Sequence, residues 1–483
     1  MKARSTLLTL LLFLGVRAFA AEKQVMPKDL PPYGPLKPYL PPDVKQQKLP
    51  NGITVWLVPK PGFPKVTFQI AVRGGMAADP KELPGLAEFL VATVNQGTKT
   101  RTARQIAEQL QGAGGDWQGQ ARADALMVST SALASKAESA LAVLADVVQN
   151  ATFPDSEVDL ARRNLSDSLK QRESRPRFLG DRALANAMFG THPYGVIAPT
   201  QDSLAKTSSA QLRQEYARRF RPDQAMLVVV GNFEGPAMDT LVQRLFGNWK
   251  AAGDTSSSET APVTENPAHA VVAVPRSGSV QTTLIVGQFG PTRRDPDYIS
   301  GEIADAIFGG MFGSRLVKNI REDKGYTYSP FSFLQPRRQA GVFRTQADVR
   351  NEVTGATFNE ISYELNRMAT TQPTQEELTM AERYLVGNTA ITLQSQAALA
   401  AELASLWVDD LPPQRLGEES QQILNAKAQD VTAVSRKYYP ASRTTIVAVG
   451  DPKVVKQELR EFGIPIREVT LQDHAAASQP ASQ

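Results

Sequence analysis

The strongest constraint on the fold is a pattern that occurs twice in the chain. Residues 216–222 combine a helix end with a proline turn and lead into the apolar run 225–231, which ends on glycine. Residues 435–440 lead in the same way into the apolar run 444–450. A chain of 483 residues is also too long for one ordinary hydrophobic core. The repeat therefore predicts two related halves, each closing with a helix, a turn and a buried strand.

The spacing of apolar residues predicts both strands and helices. β-branched runs at 66–72 and 125–130 indicate strands. Apolar residues three and four positions apart predict amphipathic helices at 102–111, 135–148 and 155–172. This mixture favours an α+β fold class, with helices packed on antiparallel-rich sheets and the two halves forming a clamshell.

Composition divides the chain into segments. Between the halves lies a stretch rich in Ser, Thr, Ala and Pro without an apolar period, which is typical of a linker. The predicted segments are a signal peptide (1–20), a proline-rich N-terminal segment (21–47), the first half (48–250), the linker (251–267), the second half (268–465) and a flexible tail (466–483).

The N-terminus has the pattern of a secretory signal peptide. Lys2 and Arg4 precede an apolar run from Leu7 to Val16, and Ala18-Phe19-Ala20 supplies small residues for cleavage. Arg17 ends the apolar run well short of the roughly 20 residues that a membrane span needs. The chain has no cysteine, which excludes disulfides and a lipid anchor on an N-terminal cysteine. We therefore expect an exported, soluble protein without a membrane anchor, most simply a periplasmic one.

The net charge gives no indication of a nucleic-acid or membrane partner. The formal charge is +4, and removal of residues 1–20, which contain three basic residues and no acidic one, lowers it to +1. A nearly neutral mature chain lacks the excess of positive charge that nucleic acids or anionic lipids attract. We expect no nucleic-acid binding.

Several short motifs follow one another along the chain in a fixed order. They are L-P-N-G-I-T-V at 49–55, V-R-G-G at 72–75, G-L-A at 85–87, G-T-K at 97–99, T-F-P at 152–154 and H-P-Y-G at 192–195. With this order and spacing, the chain from Leu49 to about Gly450 resembles the M16 (pitrilysin-like) zinc metallopeptidases. The resemblance implies M16-type halves and a zinc helix in the first of them.

The segment that corresponds to the zinc helix lacks the family's ligands. The family motif H-x-x-E-H supplies two histidine ligands and a glutamate general base. In this chain the three positions are Glu88, Val91 and Ala92, and valine and alanine carry no donor atom for zinc. The family's last ligand, a glutamate on a later helix, corresponds to Ser168. We therefore predict that this chain binds no metal and has no peptidase activity alone.

A second family motif is retained in the other half. Residues 320–329, I-R-E-D-K-G-Y-T-Y-S, resemble a substrate-holding segment in which an arginine and a tyrosine seven residues later work together. Here they are Arg321 and Tyr328. A guanidinium and a phenol hydroxyl can bind a peptide carbonyl and stabilise negative charge developing on its oxygen. The alternative is structural: Arg321 could pair with a surface carboxylate, and Tyr328 could fill a core.

Two further groups of residues are relevant to a site. In the family, the strand at Trp117 and Gln118 is an exposed edge that pairs with extended substrate, so both are candidate peptide contacts, although Trp117 could instead cover the core. The three histidines, His192, His269 and His474, lie in separate sequence contexts, which makes a shared metal site among them a poor hypothesis.

These observations support three functional hypotheses. In the first, the chain is the non-catalytic, substrate-binding subunit of a heterodimeric M16 zinc peptidase. It contributes Arg321 and Tyr328 in trans, while a partner with an intact H-x-x-E-H motif holds the zinc and cleaves unfolded peptides. In the second, it is a catalytically inactive peptide-binding or scaffold protein that acts as a homodimer. The third, an independent hydrolase, ranks last because the sequence offers no Ser/His/Asp or Cys/His constellation.

Overall fold

The computed structural model describes residues 34–252, 260–264 and 270–469. The predicted signal peptide 1–20 lies outside these residues, as do His269, His474 and parts of the three segments 21–47, 251–267 and 466–483. Residues 38–469 are described below. They belong to one compact unit.

The first half is built on a six-stranded sheet in the order β1-β2-β6-β3-β5-β4. β2 and β6 are parallel, with Thr54 opposite Met226, whereas the other neighbouring pairs are antiparallel. The strands are β1 Lys45–Lys48, β2 Thr54–Pro59, β3 Lys65–Arg73, β4 Trp117–Ala121, β5 Ala125–Leu133 and β6 Ala225–Gly231.

The second half repeats this sheet in the order β12-β7-β11-β8-β10-β9. Five of its strands, β7-β11-β8-β10-β9, match β2-β6-β3-β5-β4 of the first half in order, including the parallel pair β7 and β11. The sixth strand differs, because β12 pairs with β7 in parallel whereas β1 pairs with β2 antiparallel. The strands are β7 Val271–Pro275, β8 Gln281–Gly290, β9 Phe331–Gln335, β10 Gly341–Arg350, β11 Thr445–Gly450 and β12 Ile466–Glu468. The α+β fold class with two related halves is confirmed.

Helices cover both sheets. Those of the first half are α1 Leu86–Thr93, α2 Ala103–Gly112, α3 Ala137–Asn150, α4 Asp155–Glu173, α5 Pro176–Phe189, α6 Gln201–Lys206, α7 Ser209–Arg219 and α8 Gly235–Phe246. Those of the second half are α9 Tyr298–Asp305, α10 Thr354–Thr370, α11 Gln375–Thr392, α12 Gln396–Val408, α13 Arg415–Leu424, α14 Ala428–Tyr438 and α15 Pro452–Leu459. Two π-helical turns, Ala306–Gly310 and Val317–Asp323, follow α9.

Each sheet is covered on one face by helices of its own half and on the other by a helix of the opposite half. On the first sheet, Trp56 and Val228 pack against Leu399 and Leu403 of α12. On the second sheet, Ile285 and its neighbours pack against α5. Because the exchanged helices pack on these apolar faces, the two halves form one interlocked structure.

The exchanged helix α5 approaches the second sheet very closely. A Cβ atom on Gly180 of α5 would lie 2.6 Å from Ile285 Cδ1, and one on Gly287 of β8 would lie 2.6 Å from Leu184 Cδ1. Glycine at both contact positions allows the helix to lie directly on the strands. These two glycines set the distance between α5 and the second sheet.

Candidate functional site

The start of α1 is fixed by a buried ion pair. Arg219 at the end of α7 is fully buried and donates to Asp79 Oδ1 at 2.8 Å and to the carbonyl oxygen of Gly75 at 3.1 Å. The same Asp79 oxygen accepts a hydrogen bond from the backbone N–H of Ala87 at 3.0 Å. Burial raises the pKa of Asp79 to about 6, and the attraction of Arg219 opposes this rise. Sequence reasoning missed this pair, although Arg219 lies in the repeated segment 216–222.

Glu88, at the position of the family's first zinc ligand, is held in an ion pair. Arg172 of α4 donates through Nη2 to Glu88 Oε1 at 2.8 Å and through Nη1 to Glu88 Oε2 at 3.4 Å. Both side chains are about one-quarter exposed, and the Arg172 guanidinium also lies 5.3 Å from the ring centre of Phe178. The Arg172 guanidinium therefore neutralises the Glu88 carboxylate, which could otherwise face a metal cation.

The next position of the motif is filled by apolar packing. Val91 is 5% exposed, and edge strand β4 crosses it so closely that a Cβ atom on Gly119 would lie 2.5 Å from Val91 Cγ1. Ala92 beside it is half-buried, and Ser168 is exposed on α4, one turn before Arg172. An aliphatic contact occupies the place where the family has its general base.

These residues do not fit a hydrolytic zinc ion. Zinc needs three protein ligands with nitrogen, oxygen or sulfur donors around an open coordination position. The motif offers one carboxylate, already paired with Arg172, and two aliphatic side chains. Across residues 34–252, 260–264 and 270–469, no group of three or more His, Cys, Asp or Glu residues is arranged to hold a metal ion.

Strand β4 lies at the end of the first sheet, as the resemblance implied. It pairs with β5 alone among the described strands, so its other backbone edge is available for a further strand. Gln118 is exposed, and its amide donates to the carboxylate of Asp116, whereas Trp117 is half-buried and packs against the core of the first half. Contact of these two residues with peptide remains a prediction.

Arg321 and Tyr328 lie together in the second half. The Arg321 guanidinium carbon is 4.8 Å from the ring centre of Tyr328 and 4.7 Å from that of Phe312. Tyr328 is 80% exposed and Phe312 is 67% exposed, so neither ring fills a core. Arg321 Nε also lies 3.1 Å from Glu322 Oε1. The arrangement is a guanidinium between two exposed aromatic rings, which holds its charged group in a defined direction.

Local backbone geometry produces this arrangement. Arg321 lies in the second π-helical turn, which ends where Gly325 adopts a left-handed conformation with φ of 63°. The N–H of Gly325 donates to the carbonyl of Arg321, and the N–H of Tyr326 donates to that of Ile320. Such a glycine reverses the chain after a helical turn. It brings Tyr328 back beside Arg321.

The arginine and the tyrosine line an open cavity of about 610 Å³. Asp348 and Arg350 of β10 and Gln281 of β8 also line it. The cavity thus combines hydrogen-bond donors and acceptors with an exposed ring, which suits a peptide rather than an apolar small molecule.

Comparison with known proteins agrees with this architecture. Residues 54–199 match the family model described as "Insulinase (Peptidase family M16)", and residues 206–385 match the one described as "Peptidase M16 inactive domain". The chain belongs to the M16 peptidase family. The first match ends just before α6 and the second begins at its last residue, Lys206; the first contains the zinc-helix segment that lacks its ligands here.

M16 relatives match almost over their full length. An "Uncharacterized zinc protease" of Rickettsia bellii is 25% identical over 83% of this chain and 96% of its own. The "Uncharacterized zinc protease YmxG" of Bacillus subtilis is 24% identical over 73% of this chain and 85% of its own. A crystal structure titled "peptidase M16 inactive domain from Pseudomonas fluorescens" superposes with a TM-score of 0.79 at 25% identity, over 85% of this chain and 98% of that one.

A protease from Helicobacter pylori has the same fold, with a TM-score of 0.79 at 18% identity over 85% of this chain and 99% of its own. Within the part of the chain that the structure describes, no helix has the length and apolar character needed to cross a bilayer. The chain is therefore an M16 peptidase-like protein whose zinc helix has lost its ligands.

Proposed function

We propose that this chain is the non-catalytic, substrate-binding subunit of a heterodimeric M16 zinc peptidase. A partner subunit with an intact H-x-x-E-H motif holds the zinc and carries out hydrolysis. This chain binds the unfolded peptide and contributes Arg321 and Tyr328 in trans. It acts in an exported compartment, most simply the periplasm, because its first 20 residues have the pattern of a signal peptide.

The proposal rests on a difference between the two halves: the first lacks the zinc ligands, and the second has an open cavity lined by Arg321 and Tyr328. In the first half, the Glu88–Arg172 ion pair and the packing of Val91 against β4 replace the zinc site. In the second half, Arg321 and the highly exposed Tyr328 still line an open cavity. An exposed aromatic pair around a guanidinium contributes little to a core, so a binding role explains its presence better than stability does.

The chemistry of the pair suits a peptide carbonyl. A guanidinium stays protonated at every physiological pH, and a phenol hydroxyl can donate a hydrogen bond to the same oxygen. Donors fixed in place before the reaction stabilise a developing negative charge without reorganisation. Here the two rings and the left-handed turn at Gly325 hold the donors in position.

The proposal is tested by isolating the mature protein from its native exported fraction and identifying what copurifies. We expect a second chain with H-x-x-E-H and peptide hydrolysis that a chelator abolishes. In the complex, Arg321→Ala should lower kcat by about 100-fold, the usual loss when one donor to a developing oxyanion is removed. Assembly should be unchanged, because Arg321 is a partly exposed side chain of a surface turn.

Matched variants separate this role from general surface effects. Arg104→Ala removes an exposed arginine of α2, and Tyr363→Phe removes the hydroxyl of an exposed tyrosine of α10. Both should leave turnover unchanged. If Arg321→Ala and Tyr328→Phe also leave it unchanged, the in-trans role is refuted. Recovery of this chain as an inert homodimer that binds peptide would support the scaffold function instead.

A further inference from the structure

A second cavity lies where the exchanged helix α5 meets β9 and β10. It has a volume of about 220 Å³, equal to that of about seven liquid water molecules. Its apolar lining includes Leu184, Met188, Phe189 and Val342. The cavity therefore accepts a group about the size of one large side chain with part of its backbone.

The charged lining of this cavity has an excess of positive charge. Arg177, Arg337 and Arg344 line it together with a single carboxylate, that of Asp181. Arg344 is 5% exposed and donates through Nε to Asp181 Oδ1 at 2.6 Å, while Arg177 Nε is 3.9 Å from Asp181 Oδ2. One carboxylate is thus shared between two guanidinium groups.

The third guanidinium has no carboxylate of its own. Arg337 lies 5.0 Å from the ring centres of Phe189 and Tyr194 and donates to the carbonyl oxygen of Tyr194 at 3.1 Å. Among the described residues, it forms no ion pair within 4.0 Å. Desolvation lowers the pKa of Arg337 although Tyr194 and the Asp124 carboxylate oppose this shift, so on balance its environment disfavours the positive charge. A bound anion would relieve this cost.

The two cavities lie on the same face of the second sheet. Arg344, Gln346, Asp348 and Arg350 alternate along β10 and therefore point to one side. Arg344 Nη2 donates to Gln346 Oε1 at 2.7 Å, and Gln346 Nε2 donates to Asp348 Oδ2 at 3.1 Å. Asp348 lines the cavity of Arg321 and Tyr328. A continuous polar row thus connects the two cavities.

The sheet geometry also gives their separation. Arg344 and Asp348 are four residues apart on β10, which corresponds to about 13 Å at roughly 3.3 Å per residue. An extended peptide covers the same length with about four residues. The part of the cavity at Arg344 would therefore lie about four residues from the peptide unit held at Arg321 and Tyr328. We call the cavity lined by Arg177, Arg337 and Arg344 the arginine cavity.

On the basis of the proposed function, we propose that the arginine cavity is a substrate subsite for a peptide carboxylate beside an apolar group. Arg337, which lacks an ion-pair partner, binds the carboxylate. Arg177 adds positive charge farther along α5, and Leu184 and Met188 receive the apolar group. The carboxylate comes from the C-terminus of the peptide or from an acidic side chain. Substrates are thereby selected at a second position, separate from the bound carbonyl.

The test uses the full mature chain and fluorescence anisotropy of three N-terminally fluorescein-labelled, alanine-rich octapeptides. The first ends in phenylalanine with a free carboxylate, the second is its C-terminal amide, and the third is the amide with one internal glutamate. We expect the first peptide to bind about tenfold more tightly than the second, because charge-assisted hydrogen bonds are lost with the amide. If the third binds as tightly as the first, the site is supported and an acidic side chain is identified as a source of the carboxylate.

The variants are chosen to keep the fold. Arg177→Ala changes an exposed side chain and should reduce the preference for the free carboxylate about threefold. Arg337→Gln should abolish the preference. Arg175→Ala removes an exposed arginine next to α5 that does not line the cavity, and should change nothing.

Equal affinity for all three peptides would overturn the subsite while leaving the proposed function intact. Absence of binding to any peptide would contradict both the subsite and the proposed function.

Discussion

Replacement of Val91 by glutamate tests whether apolar packing against β4 occupies the position of the family's general base. Val91 is 5% exposed and is crossed by β4 at Gly119. Loss of the buried valine costs about 1.5–2 kcal/mol. Burial should also raise the pKa of the new carboxyl by about 2 units, which at pH 7 costs about 2.7 kcal/mol. We therefore expect Val91→Glu to lower the free energy of unfolding by about 4 kcal/mol, although glutamate is the residue that the family motif has there.

The assay is urea unfolding at pH 5 and pH 8, with Ser168→Glu as the matched control. Ser168 is exposed on α4, so the control adds a carboxylate at another degenerate ligand position and should change stability by less than about 0.5 kcal/mol. The loss in Val91→Glu should be larger at pH 8, because an acid with a raised folded-state pKa loses stability as pH rises through that value. If Val91→Glu and Ser168→Glu are equally stable, the position accepts a carboxylate and the packing argument is wrong.

Two further predictions concern the second half. Burial raises the pKa of Asp305 from 3.8 to about 7, so the free energy of unfolding should decline as pH rises from about 4 to about 7. Asp305→Asn keeps an acceptor for the Ser332 hydroxyl and should remove up to about 4 kcal/mol of this decline, measured by urea unfolding across this pH range. If the variant has the same pH profile as the parent protein, the assignment to Asp305 is refuted. Gly180→Ala places a methyl group 2.6 Å from Ile285 Cδ1 and should cost about 1–3 kcal/mol in thermal unfolding, whereas a Gly387→Ala control, where no atom lies within 4 Å, should be neutral or stabilising.

The repeated segment predicted the architecture correctly. The run 225–231 became the central strand β6, and the related run became β11 at the same place in the second sheet. The amphipathic patterns at 102–111 and 155–172 became α2 and α4 within one or two residues of the predicted bounds. Such local patterns predict the type of element because buried side chains recur at a fixed spacing, which differs between helices and strands.

Contacts between distant residues were not predictable from these patterns. The apolar faces of α5 and α12 indicate that each helix is buried, but no periodicity tells which sheet buries it, and both lie on the sheet of the opposite half. The ion pair between Glu88 and Arg172 joins residues on two different helices. A sequence shows which side chains are charged but not which of them pair. The loss of the zinc ligands was therefore predictable, whereas the ion pair that replaces them was not.

The exchange of α5 and α12 has a consequence for biosynthesis. All six strands of the first sheet have been synthesised once Gly231 leaves the ribosome, but the apolar face around Trp56 and Val228 has no cover until residues 396–408 follow. At about 5–20 residues per second, this delay is roughly 10–30 s. The first half therefore cannot mature as a separate unit during translation, and the nascent chain must be shielded from aggregation until residues 396–408 have been made.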